Sequence, residues 1–162
     1  IFYSDYLVRL RDNLNGSHGV EGRVLPGLPA LIEQLREQTD HALGLLTGNI
    51  ARGAYLKVEH FGFAGVFDFG AFGDDHHDRN RLGPIAVERA THHTGRAFEP
   101  HNVVIIGDTP KDIACARACG AVAVAVATGR FSADELEAHD PDHLFDDFID
   151  GDSVIERLDL AT

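Results

Sequence analysis

Residues 104–112 read Val104-Ile105-Ile106-Gly107-Asp108-Thr109-Pro110-Lys111-Asp112. The apolar run Val103–Ile106 has the length of a buried strand and stops in a polar turn. Pro110 then opens an alanine-rich helix to Cys119, at a position where a missing N–H does no harm. Gly120 ends that helix, and Ala121–Val126 is a second apolar strand. Strand, helix and strand in succession predict two parallel neighbours joined by a crossover.

The same alternation extends in both directions. Phe2, Tyr6, Leu10 and Leu14 recur every four residues and predict a helix over 2–14, ended by Asn15-Gly16. After a turn-rich stretch to Gly27, Pro26-Gly27-Leu28-Pro29 opens a helix with Leu28, Leu31, Ile32 and Leu35 on one face. Ala42–Leu46 reads as a buried strand feeding Thr47-Gly48-Asn49. Ile50–Phe61 reads as a helix with Ala51, Ala54, Tyr55, Val58 and Phe61 inward, and Val66–Phe69 as a strand. Leu82–Thr94 is a helix entered through Gly83-Pro84. Ser132 and Glu135 form a capping box, His143–Phe145 an edge strand and Val154–Leu158 a closing helix. The expected fold class is α/β, a Rossmann-like parallel sheet with helices on both faces. In such sheets ligands sit beyond the carboxyl ends of the strands. That rule brings Thr47-Gly48-Asn49 and Gly107-Asp108 to one rim.

Composition fits a globular protein: 162 residues, 44% apolar and 25% charged. No apolar run approaches the roughly 20 residues of a membrane helix, and no signal-peptide pattern opens the chain, so the expected location is the cytoplasm. A net charge of -12 argues against nucleic acid as a partner but permits a small phosphorylated substrate. Oligomeric state is not legible. Cys115 and Cys119 share a helix face and read as small core residues, since a zinc site lacks its other pair.

Asp108 and Asp112 can face one point, and Mg²⁺ is the hard cation suited to such a pair. Alternatively, Asp108 caps a helix and Asp112 is solvated. Thr47 offers a hydroxyl, and the N–H groups of Gly48 and Asn49 lie near a helix start that favours anions; the alternative is an ordinary N-cap. Asp74-Asp75-His76-His77-Asp78 reads as a solvated loop, with a role at the site rim as the alternative. His92 and His93 serve a helix end or face solvent, Gly129 makes a turn, Arg130 is a candidate to reach the cleft, and Lys111 reads as a solvated helix residue with the cleft as the alternative.

Taken together, these motifs resemble the haloacid-dehalogenase-like (HAD) phosphohydrolases. Leu45-Leu46-Thr47-Gly48-Asn49 is similar to that family's second motif, and Val104–Asp112 to its fourth, GDxxxD. The third motif needs a cation. Arg79 stands before Pro84 much as the corresponding lysine does in phosphoglycolate-phosphatase-like members, with Arg81 as second choice. The resemblance runs from about Pro26 to Phe145. It implies residues 1–20 as the end of a small helical cap and 21–162 as the HAD-like core. It also implies phosphoryl transfer through an aspartyl-phosphate. Thr47, Gly48, Asn49 and Arg79 would hold the substrate phosphate, Asp108 would bind Mg²⁺, and Asp112 would sit beside it or act through water.

The family's first motif, an apolar strand followed by DxDx[TV], has no counterpart in the 162 residues. Asp68 and Asp146-Asp147 lack the spacing. The chain also contains no Met and begins at Ile1. We therefore expect the sheet to lack its central strand, the flanking strands to expose unpaired edges, and the chain alone to be poorly stable and inactive. We expect the nucleophile to lie upstream in a longer protein. Alternatives are a catalytically inactive phosphate- or partner-binding module, a related phosphosugar mutase, a dehalogenase, which the Asp108/Asp112 pair disfavours, and a receiver-like binding domain.

Overall fold

The computed structural model describes residues 2–15, 22–38 and 40–158. In chain order the elements are α1 (Phe2–Leu14), α2 (Leu28–Glu37), β1 (Gly44–Thr47), α3 (Ala51–His60), β2 (Phe69–Phe72), α4 (Leu82–Thr94), β3 (Val104–Gly107), α5 (Pro110–Cys119), β4 (Val122–Val126), α6 (Ala133–Glu137), β5 (His143–Phe145) and α7 (Gly151–Arg157). Short 3-10 turns at Arg79–Arg81 and Pro100–Asn102 lead into α4 and β3. Residues 16–21 of the expected turn-rich stretch lie outside the described residues.

All strand pairs are parallel, in two pieces: β1 with β2, and β3–β4–β5. Among the described residues, the edge of β1 away from β2 and that of β3 away from β4 are unpaired. The sheet therefore divides where a strand was expected to be lacking.

The alternation in β4 sets the layers. Val124 and Val126 face one side, where they pack with Leu31 and Leu35 of α2, Phe145, Phe148, and Val154 and Ile155 of α7. Ala123 and Ala125 face the other side and are fully buried against Ile113, Cys115 and Ala116 of α5 and Leu136 of α6. Their single methyl groups let α5 approach closely; a larger side chain would overpack the face. Leu43 packs with the first cluster and Leu46 with the second, so the β1 strand and its lead-in address both faces.

Pro and Gly set the boundaries. Gly27 precedes α2 at φ 79, and a Cβ there would collide with the Phe148 backbone. Gly95 and Gly120 end α4 and α5 in the left-handed region. The Ser132/Glu135 capping box forms as expected.

Four expectations need correction. Strand β2 lies at Phe69–Phe72, three residues beyond the expected Val66–Phe69, because Asp75 accepts a hydrogen bond from the Phe72 N–H (2.9 Å) and fixes the strand end there. Strand β1 is half-buried rather than buried, having a neighbour on one side only. Tyr55 is 37% exposed rather than inward, tilted against Phe72 with ring centroids 5.5 Å apart. Helix α7 starts at Gly151, capped by Asp150, ahead of the expected Val154. No helix of the described residues is long and apolar enough to cross a membrane.

Candidate active site

Strand β3 ends at Gly107, whose missing side chain is required because Asp112 fills the space a Cβ would need. Thr109 then caps α5. Its N–H (3.1 Å) and its hydroxyl (2.7 Å) both donate to Oδ2 of Asp112, which completes a capping box. Asp112 is 2% exposed, the one buried charged residue among the described residues. Its other oxygen, Oδ1, accepts from Nη2 of Arg79 in an ion pair. A carboxylate this buried needs such partners.

Arg79 is held in turn. Asp78 caps its 3-10 turn through the Asn80 N–H, the Cys115 thiol donates to the Arg79 carbonyl (3.1 Å), and the next apolar residue, Leu82, is buried. Burial pushes the Cys115 thiol pKa up, which keeps it protonated as that donor. Nη1 of Arg79 lies 3.8 Å from where a Cβ on Gly48 would stand. Arg79 thus links the turn after β1 to the start of α5, across the gap in the sheet. Arg81 is exposed, whereas Arg79 is half-buried and paired with Asp112. Nη2 bonds to Asp112 and Nε is buried without a partner, which leaves Nη1 as the nitrogen nearest the Gly48 turn.

Asp108 is half-buried, and no donor among the described residues binds its carboxylate. It lies against Gly129, the turn residue after β4, where a Cβ would collide with it. Opposite, Thr47 Oγ1 accepts from the Asn49 N–H (3.2 Å) and from Asn49 Nδ2 (3.0 Å). The Asn49 N–H expected to bind an anion is therefore engaged within its own turn. The first amide of α3, at Ala51, is likewise taken by Asp74 (3.0 Å).

The resemblance implies Mg²⁺, and the residues present fit it only in part. Among the described residues no three His, Cys, Asp or Glu side chains converge as a ligand set. Asp108 has unclaimed oxygens, whereas both oxygens of Asp112 are held by Arg79 and Thr109. Asp112 is thus a buried partner of Arg79 in this arrangement. These residues by themselves do not complete a Mg²⁺ site.

The acidic loop 74–78 is structural. Asp74 caps α3. Asp75 receives a two-pronged bond from Arg89 (2.6 Å each) that also reaches the Gly70 carbonyl (2.7 Å). These bonds lower the Asp75 pKa and raise that of Arg89. His76 accepts from the Asp78 N–H and stacks on His77. His93, on α4, lies 3.6 Å from Asp68. Cys115 is buried and Cys119 partly so, both as free thiols. Lys111 is exposed, and Arg130 lies over the Phe131 ring. Sequence reasoning missed Gly129 as the wall behind Asp108 and Lys57 as a partner of Asn49. Gly129 was findable, since it follows a strand end on the predicted rim.

A family model described as HAD-hydrolase-like matches residues 80–151. No curated protein matched the chain. Among solved structures, the chain is similar to a predicted phosphoglycolate phosphatase of Haemophilus somnus (21% identity, TM-score 0.72), covering 88% of this chain and 60% of that one. It is similar to the β-phosphoglucomutase of Clostridium difficile (17%, TM-score 0.71; 97% and 64% covered). It is also similar to a haloacid-dehalogenase-like family hydrolase of Streptococcus pneumoniae (19%, TM-score 0.66; 83% and 59% covered). The chain thus spans less than two thirds of the length of the structures it matches. Residues 80–151 match the HAD-hydrolase-like family model, and the chain around them shares its fold with these solved structures.

Proposed function

We propose that this chain is the core of a phosphomonoester hydrolase acting on a small phosphorylated metabolite, and that its nucleophile arrives on a strand seated between β1 and β3. One observation carries the reading: Thr47, Arg79 and Asp108 stand at the carboxyl rim on the two sides of a gap whose strand edges are both unpaired among the described residues. An aspartate at the end of such a strand would face all three. Its oxygen would attack phosphorus while the ester P–O bond breaks and the departing alkoxide takes a proton from a second acid. Water would then attack the aspartyl-phosphate, releasing phosphate and restoring the carboxylate. The Thr47 hydroxyl would donate to a phosphoryl oxygen, and Arg79 Nη1 would offset charge from the Gly48 side. Mg²⁺, when bound with Asp108 as one ligand among others, would supply further charge neutralisation. The proposed location is the cytoplasm.

A mutase of phosphorylated sugars is the second reading, favoured by the likeness to a β-phosphoglucomutase. A catalytically inactive binding module is the third, favoured by the absence of DxDx[TV] from the sequence. The test is hydrolysis of a generic aryl phosphate by the chain, alone and with a synthetic apolar peptide ending in Asp-x-Asp, in the presence of Mg²⁺. We expect no turnover alone and turnover with peptide that Asp108→Asn abolishes. Turnover without peptide would refute the supplied-strand reading. Binding of peptide and phosphate without turnover would favour the inactive module.

A further inference from the structure

Lys57, on the second turn of α3, donates to Oδ1 of Asn49 (3.3 Å), and Asn49 Nδ2 donates to Thr47 Oγ1 (3.0 Å). We propose that Lys57 and Asn49 are positioning residues which force the Thr47 hydroxyl to act as a donor toward a bound phosphoryl group. This rests on the reading of Thr47 as a phosphate ligand. The argument is one of donor and acceptor counting. An amide side chain can present either end to a neighbour, but an ammonium group only donates. Lys57 therefore fixes Oδ1 of Asn49 toward itself and Nδ2 toward Thr47. The Thr47 oxygen then accepts twice, from Nδ2 and from the Asn49 N–H, which fills both lone pairs. Its proton has no partner among the described residues and is left to point outward. Were the amide reversed, Oδ1 would face Thr47 and capture that proton, and the hydroxyl would be lost to an anion.

A positively charged Lys57 could also attract an anion simply by its charge, so the experiment separates the two. The ¹⁵N-labelled chain is titrated with inorganic phosphate, following the Gly48 and Asn49 amide signals, for wild type, Lys57→Met, Asn49→Ala, the double variant and Lys57→Arg. We expect each single substitution to weaken phosphate binding roughly tenfold, the worth of one hydrogen bond to a charged group. The double variant should be no weaker than either single one, and Lys57→Arg should retain most of the affinity. The same spectra report folding; if Lys57→Met unfolds, Lys57→Gln replaces it, since glutamine can accept as well as donate and no longer fixes the amide. Losses that multiply in the double variant, or unchanged affinity in Asn49→Ala, would overturn the relay while leaving Thr47 as a ligand. No phosphate binding by the wild-type chain would overturn both the relay and the phosphate site.

Discussion

The two halves of the sheet are held by different means. In β3–β4–β5, the central β4 has neighbours on both sides, and its residues 123–126 are buried between two apolar clusters. In β1–β2, neither strand has two neighbours among the described residues, and polar links carry much of the order: Arg89 on Asp75 and Gly70, Asp75 on Phe72, Asp74 on Ala51. A strand paired on both edges and covered on both faces becomes core. Strands β1 and β3, each with an open edge at the division, stay half-buried, whereas β2 is buried from Gly70 to Phe72. At the facing edge, Ile106 of β3 is 39% exposed although it sits in an apolar run.

The comparison is broken most severely by Phe148→Ala. Phe148 fills the first cluster, and its loss should reduce stability by about 3–5 kcal/mol, read as a lower denaturant midpoint. An effect below about 1 kcal/mol would mean that the β3–β4–β5 half is not the better-packed one. Next comes the link between the halves. Arg79→Met strands the buried Asp112 carboxylate and should destabilise by about 3 kcal/mol. Adding Asp112→Asn should recover part of that loss, because the orphaned charge goes with it. The smallest effect is expected from Arg89→Met, about 1 kcal/mol, since that pair is partly exposed and screened. Hydrogen exchange should place this loss in β2 and α4 and spare β4. The pH dependence sharpens the contrast. Hydrogen bonds from Arg89 hold the Asp75 carboxyl below its usual pKa. Its stabilisation is therefore complete above the ordinary carboxyl range near pH 4 and is lost as pH falls through the depressed value. Asp142 in the other half is depressed first by the Ala123 N–H and then by Arg117. Exchange protection in β2 should fade on acidification below pH 4 in wild type, and this acid step should shrink in Arg89→Met.

Much of the fold could be read from local chemistry. Pro and Gly bracket α4 and α5, and the Val-Ala alternation of β4 announces a strand covered on both faces. Strand β2 was misplaced because Val66-Phe67 looked more strand-like than Phe69-Gly70-Ala71-Phe72, while its register depends on the Asp75 bond to Phe72. That Thr47 ends β1 and that Asp108 follows the end of β3 was legible in the sequence. The commitment of both Asp112 oxygens was not, since it depends on Arg79 arriving from another segment. The Lys57–Asn49 contact was equally invisible, because amide orientation is settled only in three dimensions.

The divided sheet has a kinetic consequence. β1 and β3 are separated in the chain by α3, β2 and α4. A strand entering the gap would pair with two edges already formed and gain both hydrogen-bond ladders in one step. Its insertion would add contacts of long sequence separation, the kind that slow folding. Each half would then behave as an early, separately opening unit, and arrival of the strand would be the late event that couples them.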